Sequence, residues 1–148
     1  MYKERLKLLR ESKNLTQNDV AQIISLSKSL YCNYETEYAI MPLKHLNTLC
    51  NFFNVSLDYI FNFNDGLFYK NYHQDINLKK SKLRLKEFRS ESKLTQTKLA
   101  EVLHTTQSVI AGFEKGRNLI ATPFLYEICK KYNVSADYLL GKIDDVNI

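Results

Sequence analysis

Leu15-Thr16-Gln17-Asn18-Asp19-Val20-Ala21 returns, 79 residues downstream, as Leu94-Thr95-Gln96-Thr97-Lys98-Leu99-Ala100. Working outward at the same offset, Leu6 to Asn62 lies over Leu85 to Gly141 without a gap. The overlay puts Arg10 on Arg89, Ser29 on Ser108, Glu35 on Glu114 and Cys50 on Cys129. It also puts Asn54-Val55-Ser56 with Asp58-Tyr59 on Asn133-Val134-Ser135 with Asp137-Tyr138. Solenoids stack several repeats of roughly 20 to 50 residues to complete one core. Two copies at this longer spacing must each hold a core of their own. The chain divides accordingly into a first domain (1–62), a connector (63–81), a second domain (82–141) and a tail (142–148).

Composition favours helices. Of 148 residues, 45% are hydrophobic, with only four Gly and two Pro, too little punctuation for a fold of many short strands. A unit of about 60 residues is near the lower limit for an unaided core. Three cysteines cannot all pair and no charged-then-apolar leader opens the chain, so a reduced, cytoplasmic protein is expected. No apolar run approaches the roughly 18 residues of a membrane span. The net charge of +5 is uneven: residues 1–65 are neutral and residues 66–84 carry +4. A basic stretch of this kind suits a polyanion, and equally a solvated helix face.

Periodicity predicts five helices per copy. Leu6, Leu8 and Leu9, and in the second copy Leu83, Leu85 and Phe88, mark a helix ending near Lys13 or Lys93. Thr16 and Thr95 stand as N-caps before the second helix, since a hydroxyl can accept from an otherwise orphan backbone N–H. A break at Ser25-Leu26-Ser27 or His104-Thr105-Thr106 leads into a third helix, capped by Ser27 or Thr106 and running to Glu35 or Glu114. Two short helices joined by about three residues form a helix-turn-helix. A fourth helix follows over 42–53 and 122–132, then a short fifth over 56–61 and 135–140.

These residues resemble the lambdoid-repressor and Cro family of helix-turn-helix domains. The resemblance is carried by the Arg, the Leu-Thr-Gln, the apolar-Ala step, the third helix closing in Glu, and the final Asn-Val-Ser-x-Asp-Tyr. It implies an all-α chain of two tandem five-helix DNA-binding domains. The second copy keeps the family's glycine in Glu114-Lys115-Gly116-Arg117-Asn118, whereas the first reads Glu35-Thr36-Glu37-Tyr38.

In such a fold the third helix enters the major groove and the second crosses the backbone. The resemblance then assigns base contact to Lys28, Ser29 and Asn33 in the first copy, and to Gln107 and Ser108 in the second, where Gly112 replaces Asn33. Lys suits guanine O6 and N7, while Asn or Gln suits adenine. Backbone contact falls to Gln17, Ser27, Gln96, Thr106 and Arg117, the glutamines because helix N-termini favour phosphate. Arg10 with Glu35, and Arg89 with Glu114, resemble the family's structural ion pair between helix one and helix three.

Nothing in the sequence argues for an enzyme, a cofactor or a metal site. His45, His73 and His104 have no partners at catalytic spacing, and no C-x-x-C occurs. Cys50 and Cys129 fall on the apolar stripe of helix four, and Cys32 is expected to face solvent on helix three. Leu67, Phe68, Tyr69 and Tyr72 make the connector too aromatic for a free tether; packing on one domain or a subunit contact is expected. The resulting expectation is a sequence-specific regulator of transcription, a repressor, that reads double-stranded DNA through two unlike half-sites. Beside it stands a second reading, a protein-interaction module, antitoxin-like or regulator-binding, with only one head on DNA. Pairing of two chains into a homodimer is open in either case.

Overall fold

Thr16 accepts from the Asp19 N–H at 3.1 Å while its own N–H donates to the Asp19 carboxylate at 2.8 Å. This reciprocal capping box opens a helix over Gln17–Ile23. The backbone and side-chain bonds from Thr16 hold the Asp19 carboxyl below its usual range. The computed structural model describes residues 1–66 and 74–146. In them the chain forms α1 (Lys3–Ser12), α2 (Gln17–Ile23), α3 (Lys28–Glu35), α4 (Leu43–Phe53) and α5 (Leu57–Ile60). The second series is α6 (Leu78–Glu91), α7 (Gln96–Val102), α8 (Gln107–Lys115), α9 (Thr122–Tyr132) and α10 (Ala136–Leu139). No strand occurs among the described residues, and the helices fall into two units, Met1–Gln74 and Asp75–Ile148. Leu67, Phe68, Tyr69, Tyr72 and His73 lie outside the described residues. Residues 78–81, grouped by pattern with the connector, form the first turn of α6, capped by Asn77 accepting from the Lys80 N–H.

Each unit closes its own core. Leu6, Val20, Tyr31, Leu46 and Leu49 are fully buried in the first, and Leu99, Ile110, Leu125 and Ile128 in the second, with Cys50 and Cys129 among them. Burying a side chain of this size contributes about 1.5–3 kcal/mol. Two of the leucines expected inside are not: Leu8 is 55% and Leu83 51% exposed. Each lies two residues from a buried leucine, Leu6 or Leu85, and two residues turn a helix by about 200°, onto its opposite face. Cys32 is half-buried rather than solvent-facing. No helix among the described residues is long and apolar enough to cross a membrane.

Both units fasten their last helix to their first in the same way. The Arg5 guanidinium lies 4.3 Å from the centroid of the Tyr59 ring and donates to Asn62 and Asp65. Arg84 lies 4.1 Å from the centroid of Tyr138 and donates to the Tyr138 and Ile143 carbonyls and to Asp144. The bond from Arg84 and the nearby Lys80 hold the Asp144 carboxyl low. Extending the 79-residue offset three positions past Asn62 lays Asp65 on Asp144. The repeat therefore runs beyond the boundary set by sequence identity.

Left-handed backbone recurs at the same offset. Asn14 and Lys93, Ser25 and His104, Glu37 and Gly116, Asn54 and Asn133, and Asn62 and Gly141 all have positive φ. An L side chain with a Cβ loses roughly 1–2 kcal/mol in this region. Ser25 and His104, which sit in the turn between the two helices of the motif, have φ of 57° and 55°. Replacing either by glycine relieves that strain at some cost in unfolded-state entropy. Ser25→Gly and His104→Gly are each expected to raise stability by about 0.5–1 kcal/mol, read as a higher denaturant midpoint at unchanged slope.

Candidate nucleic-acid interface

The turn between α2 and α3 is closed by Leu26 N–H donating to Ala21 O at 2.8 Å, and the turn between α7 and α8 by Thr105 N–H donating to Ala100 O at 2.9 Å. Ser27 then caps α3, its hydroxyl accepting from the Leu30 N–H. Thr106 occupies the matching position but makes no side-chain cap; its hydroxyl lies 3.1 Å from that of Ser108. The expected Thr106 cap is therefore replaced by a hydroxyl pair. It ties one residue assigned to the backbone to one assigned to base contact.

Lys28 and Ser29 are exposed on α3 and Asn33 is half-buried. Helical spacing stacks Lys28 over Cys32 and Ser29 over Asn33, so the four share one face, exposed at Lys28 and Ser29 and half-buried at Cys32 and Asn33. In α8 the corresponding residues are Gln107, Ser108, Ala111 and Gly112, of which Gln107 and Ser108 are exposed, Ala111 is half-buried and Gly112 is buried. An added Cβ at Gly112 would meet nothing within 4 Å. The first face is cationic at one end and amide-bearing in its middle; the second is uncharged and nearly flat beyond Ser108. Arg117 is exposed beyond the end of α8.

Behind each face sits the ion pair. Arg10 donates through Nε to Glu35 at 2.8 Å and through an Nη to the Leu15 carbonyl at 2.9 Å. Arg89 contacts both oxygens of Glu114, at 2.9–3.1 Å, and donates to the Leu94 carbonyl at 2.8 Å. Burial opposes the Arg10 charge, but the hydrogen bond and attraction of Glu35 outweigh it and raise the pKa above its ordinary value. The Glu35 and Glu114 side chains are each only 4% exposed.

The two glutamines assigned to backbone contact are held by the same carboxylates. Gln17 donates to Glu35 at 2.7 Å and Gln96 to Glu114 at 2.9 Å. Gln96 also accepts from Gln107 at 2.7 Å, so that Arg89, Glu114, Gln96 and Gln107 form one chain of bonds ending at the first residue of α8. Each glutamine amide retains a second N–H, the donor it could offer to a phosphate. Lys28 stands where Gln107 stands in the other copy; among the described residues no hydrogen bond ties it to Gln17 as Gln107 is tied to Gln96.

Glu37 makes structural contacts that the motif did not reveal. Its side chain turns back onto the start of α1, where it accepts from the Tyr2 N–H at 2.7 Å and the Lys3 N–H at 3.0 Å, beside the Met1 amine at 2.8 Å. It satisfies orphan donors of a helix whose own N-cap, Tyr2, supplies no side-chain bond. The second copy has Gly116 at this position, with φ +75 and the Lys82 chain where a Cβ would sit. Burial alone would raise the Glu37 carboxyl; the bonds from the Met1 amine, Tyr2 and Lys3 outweigh it and hold it below the usual range.

The family described as "Helix-turn-helix domain" matches the chain twice, over residues 3–66 and over residues 83–144. Among curated proteins the chain is similar to the uncharacterized HTH-type transcriptional regulator YobD of Bacillus subtilis (strain 168), with 40% identity over 65 residues, 44% of this chain and 58% of that protein. It is also similar to the HTH-type transcriptional regulator ImmR of the same organism, with 39% identity over 64 residues, 43% of this chain and 50% of that protein. The matched segment thus spans about half the length of each of these relatives. No solved structure matches.

Removing one partner of a buried pair strands the other charge and costs about 3–5 kcal/mol, whereas replacing both with apolar groups costs much less. Glu35→Leu is therefore expected to lose about 3 kcal/mol and Arg10→Met/Glu35→Leu distinctly less, with the same order at Arg89 and Glu114; losses that simply add in denaturant melts would refute the coupling. A carboxylate with a depressed folded pKa contributes stability above its unfolded pKa and loses it as pH falls through the folded value. Glu37→Gln should therefore lower stability by about 1 kcal/mol at neutral pH. The deficit against the unmodified protein should vanish as the pH drops below the ordinary carboxylate range.

Proposed function

The chain belongs to the helix-turn-helix domain family in both its halves, and from that premise we propose that it is a cytoplasmic, sequence-specific regulator of transcription, a repressor, that binds double-stranded DNA through α3 and α8. The observation that carries this reading is the repeated geometry behind an altered face. The clamp between the first and third helices and the turn between the second and third are the same in both copies. The exposed face of the third helix is not.

Lys28 donates to guanine O6 and N7 and Asn33 pairs with adenine, with Ser29 permissive between them. Gln107 reads adenine in the second half-site, steadied by Gln96, and Ser108 adds a further contact. Ser27, Thr106, Arg117 and the spare amide N–H groups of Gln17 and Gln96 hold phosphates, which positions each helix without reading sequence. Single-headed relatives of such domains need two chains to reach successive major-groove faces about 34 Å apart. Here one chain carries two heads, so its operator has two unlike half-sites, the second read less selectively. Both curated relatives bear the name of transcriptional regulators, which supports the assignment to regulation.

Selection of the full-length chain against a random duplex library is expected to enrich two different half-sites about one turn apart. Lys28→Ala/Asn33→Ala then abolishes preference in one half-site and leaves the other. Gly112→Asn, whose Cβ would meet nothing within 4 Å, sharpens the second half-site toward adenine. No enrichment from folded protein would instead favour the protein-interaction module.

A further inference from the structure

At the end of α3 the first copy departs from the second. The left-handed residue there is Glu37, and the next is Tyr38, in register with Gly116 and Arg117. Tyr38 is 86% exposed, more than any other large hydrophobic residue on the described surface. No hydrogen bond within the described residues engages its phenol. Its backbone differs as well: in the second copy Arg117 N–H returns to the Gly112 carbonyl at 3.0 Å, whereas in the first the return bond is made one residue later, from Ala39 N–H to the Asn33 carbonyl at 3.0 Å. The Tyr38 N–H is thereby left outside the turn's own bonding.

An acidic residue beside this position would ordinarily repel a phosphate. Glu37 does not present its charge there, because both its oxygens are occupied at the start of α1, against the Met1 amine and the Tyr2 and Lys3 N–H groups. Two donors of Tyr38, phenol and backbone, remain beyond the recognition helix at the register position of an arginine. An exposed tyrosine without a packing role or a partner is suited to donate to an anion, and Tyr hydroxyls and backbone N–H groups are both regular phosphate donors on DNA.

We propose that Tyr38 is a DNA-backbone contact of the first copy, its phenol donating to a phosphate flanking the first half-site in the place that Arg117 takes in the second. This rests on the DNA-binding reading and extends it. The contact is neutral where its counterpart is cationic, so the first head grips the backbone there with no counterion released. It gives the two heads different salt sensitivities.

The test is titration of the full chain, and of Tyr38→Phe, Tyr38→Ala and Arg117→Gln, against the selected duplex at several salt concentrations. Tyr38→Phe removes only the hydroxyl and is expected to weaken binding about tenfold, with the slope of log affinity against log salt unchanged. Tyr38→Ala should lose about as much. Arg117→Gln should weaken binding and flatten the slope by about 0.9. Unchanged affinity in Tyr38→Phe overturns the inference. So does a loss confined to Tyr38→Ala, which would make the ring, not the hydroxyl, the contact. A duplex that the unmodified chain itself fails to bind would overturn the DNA reading instead, and circular dichroism of each variant separates either result from misfolding.

Discussion

A carboxylate buried at the end of the third helix organises each half of this protein. Glu35 and Glu114 each receive an arginine from the first helix and a glutamine from the start of the second, so three helices meet at one anion. The same arginine satisfies the carbonyl of Leu15 or Leu94 in the bend between the first and second helices. In a unit of about 60 residues the apolar core is small, and apolar contacts alone tolerate sliding and rotation. Directional bonds to a desolvated carboxylate do not. The strength of such a pair lies less in net stability than in orientation, and orientation is what a helix docked in a groove requires.

On this shared frame the two outward faces have diverged. The frame extends in the second copy to Gln107 through Gln96, while in the first it stops at Gln17 and leaves Lys28 untethered. The tethered amide is held in one geometry, which suits a fixed pairing with a base edge. A lysine on a flexible stem is a point charge that accommodates more than one acceptor. Asn33 and Gly112 then differ in the opposite sense, with a specific amide in the first copy and bare backbone in the second. Each face thus keeps one well-defined polar group, at a different place along the helix.

Much of this architecture was legible because it is local. The helices, the Thr16, Thr95 and Ser27 caps, and the pairing of arginine with glutamate follow from periodicity, capping chemistry and a resemblance quoted residue by residue. Where local pattern misled, the cause was geometric or a competing partner. Leu8 was read onto a face that lies about 200° from Leu6. The Thr106 hydroxyl had Ser108 within reach and took it instead of a backbone N–H. The Arg5–Asp65 and Arg84–Asp144 clasps lay just past the last identical residues, although the same offset reaches them.

By itself the sequence determined that there are two copies, that each is helical, and which polar residues line the third helix. These depend on side-chain period and on bonds spanning three or four residues. The tertiary structure alone decided where the long side chains go: Gln17 to a carboxylate 18 residues away, and Glu37 to N–H groups 34 and 35 residues away. It also decided the left-handed turns, where Ser25, His104, Lys93 and Glu37 hold a conformation glycine would adopt at lower cost. Closure of the helices around a core fixes the turn, and the residue that occupies it accepts the strain.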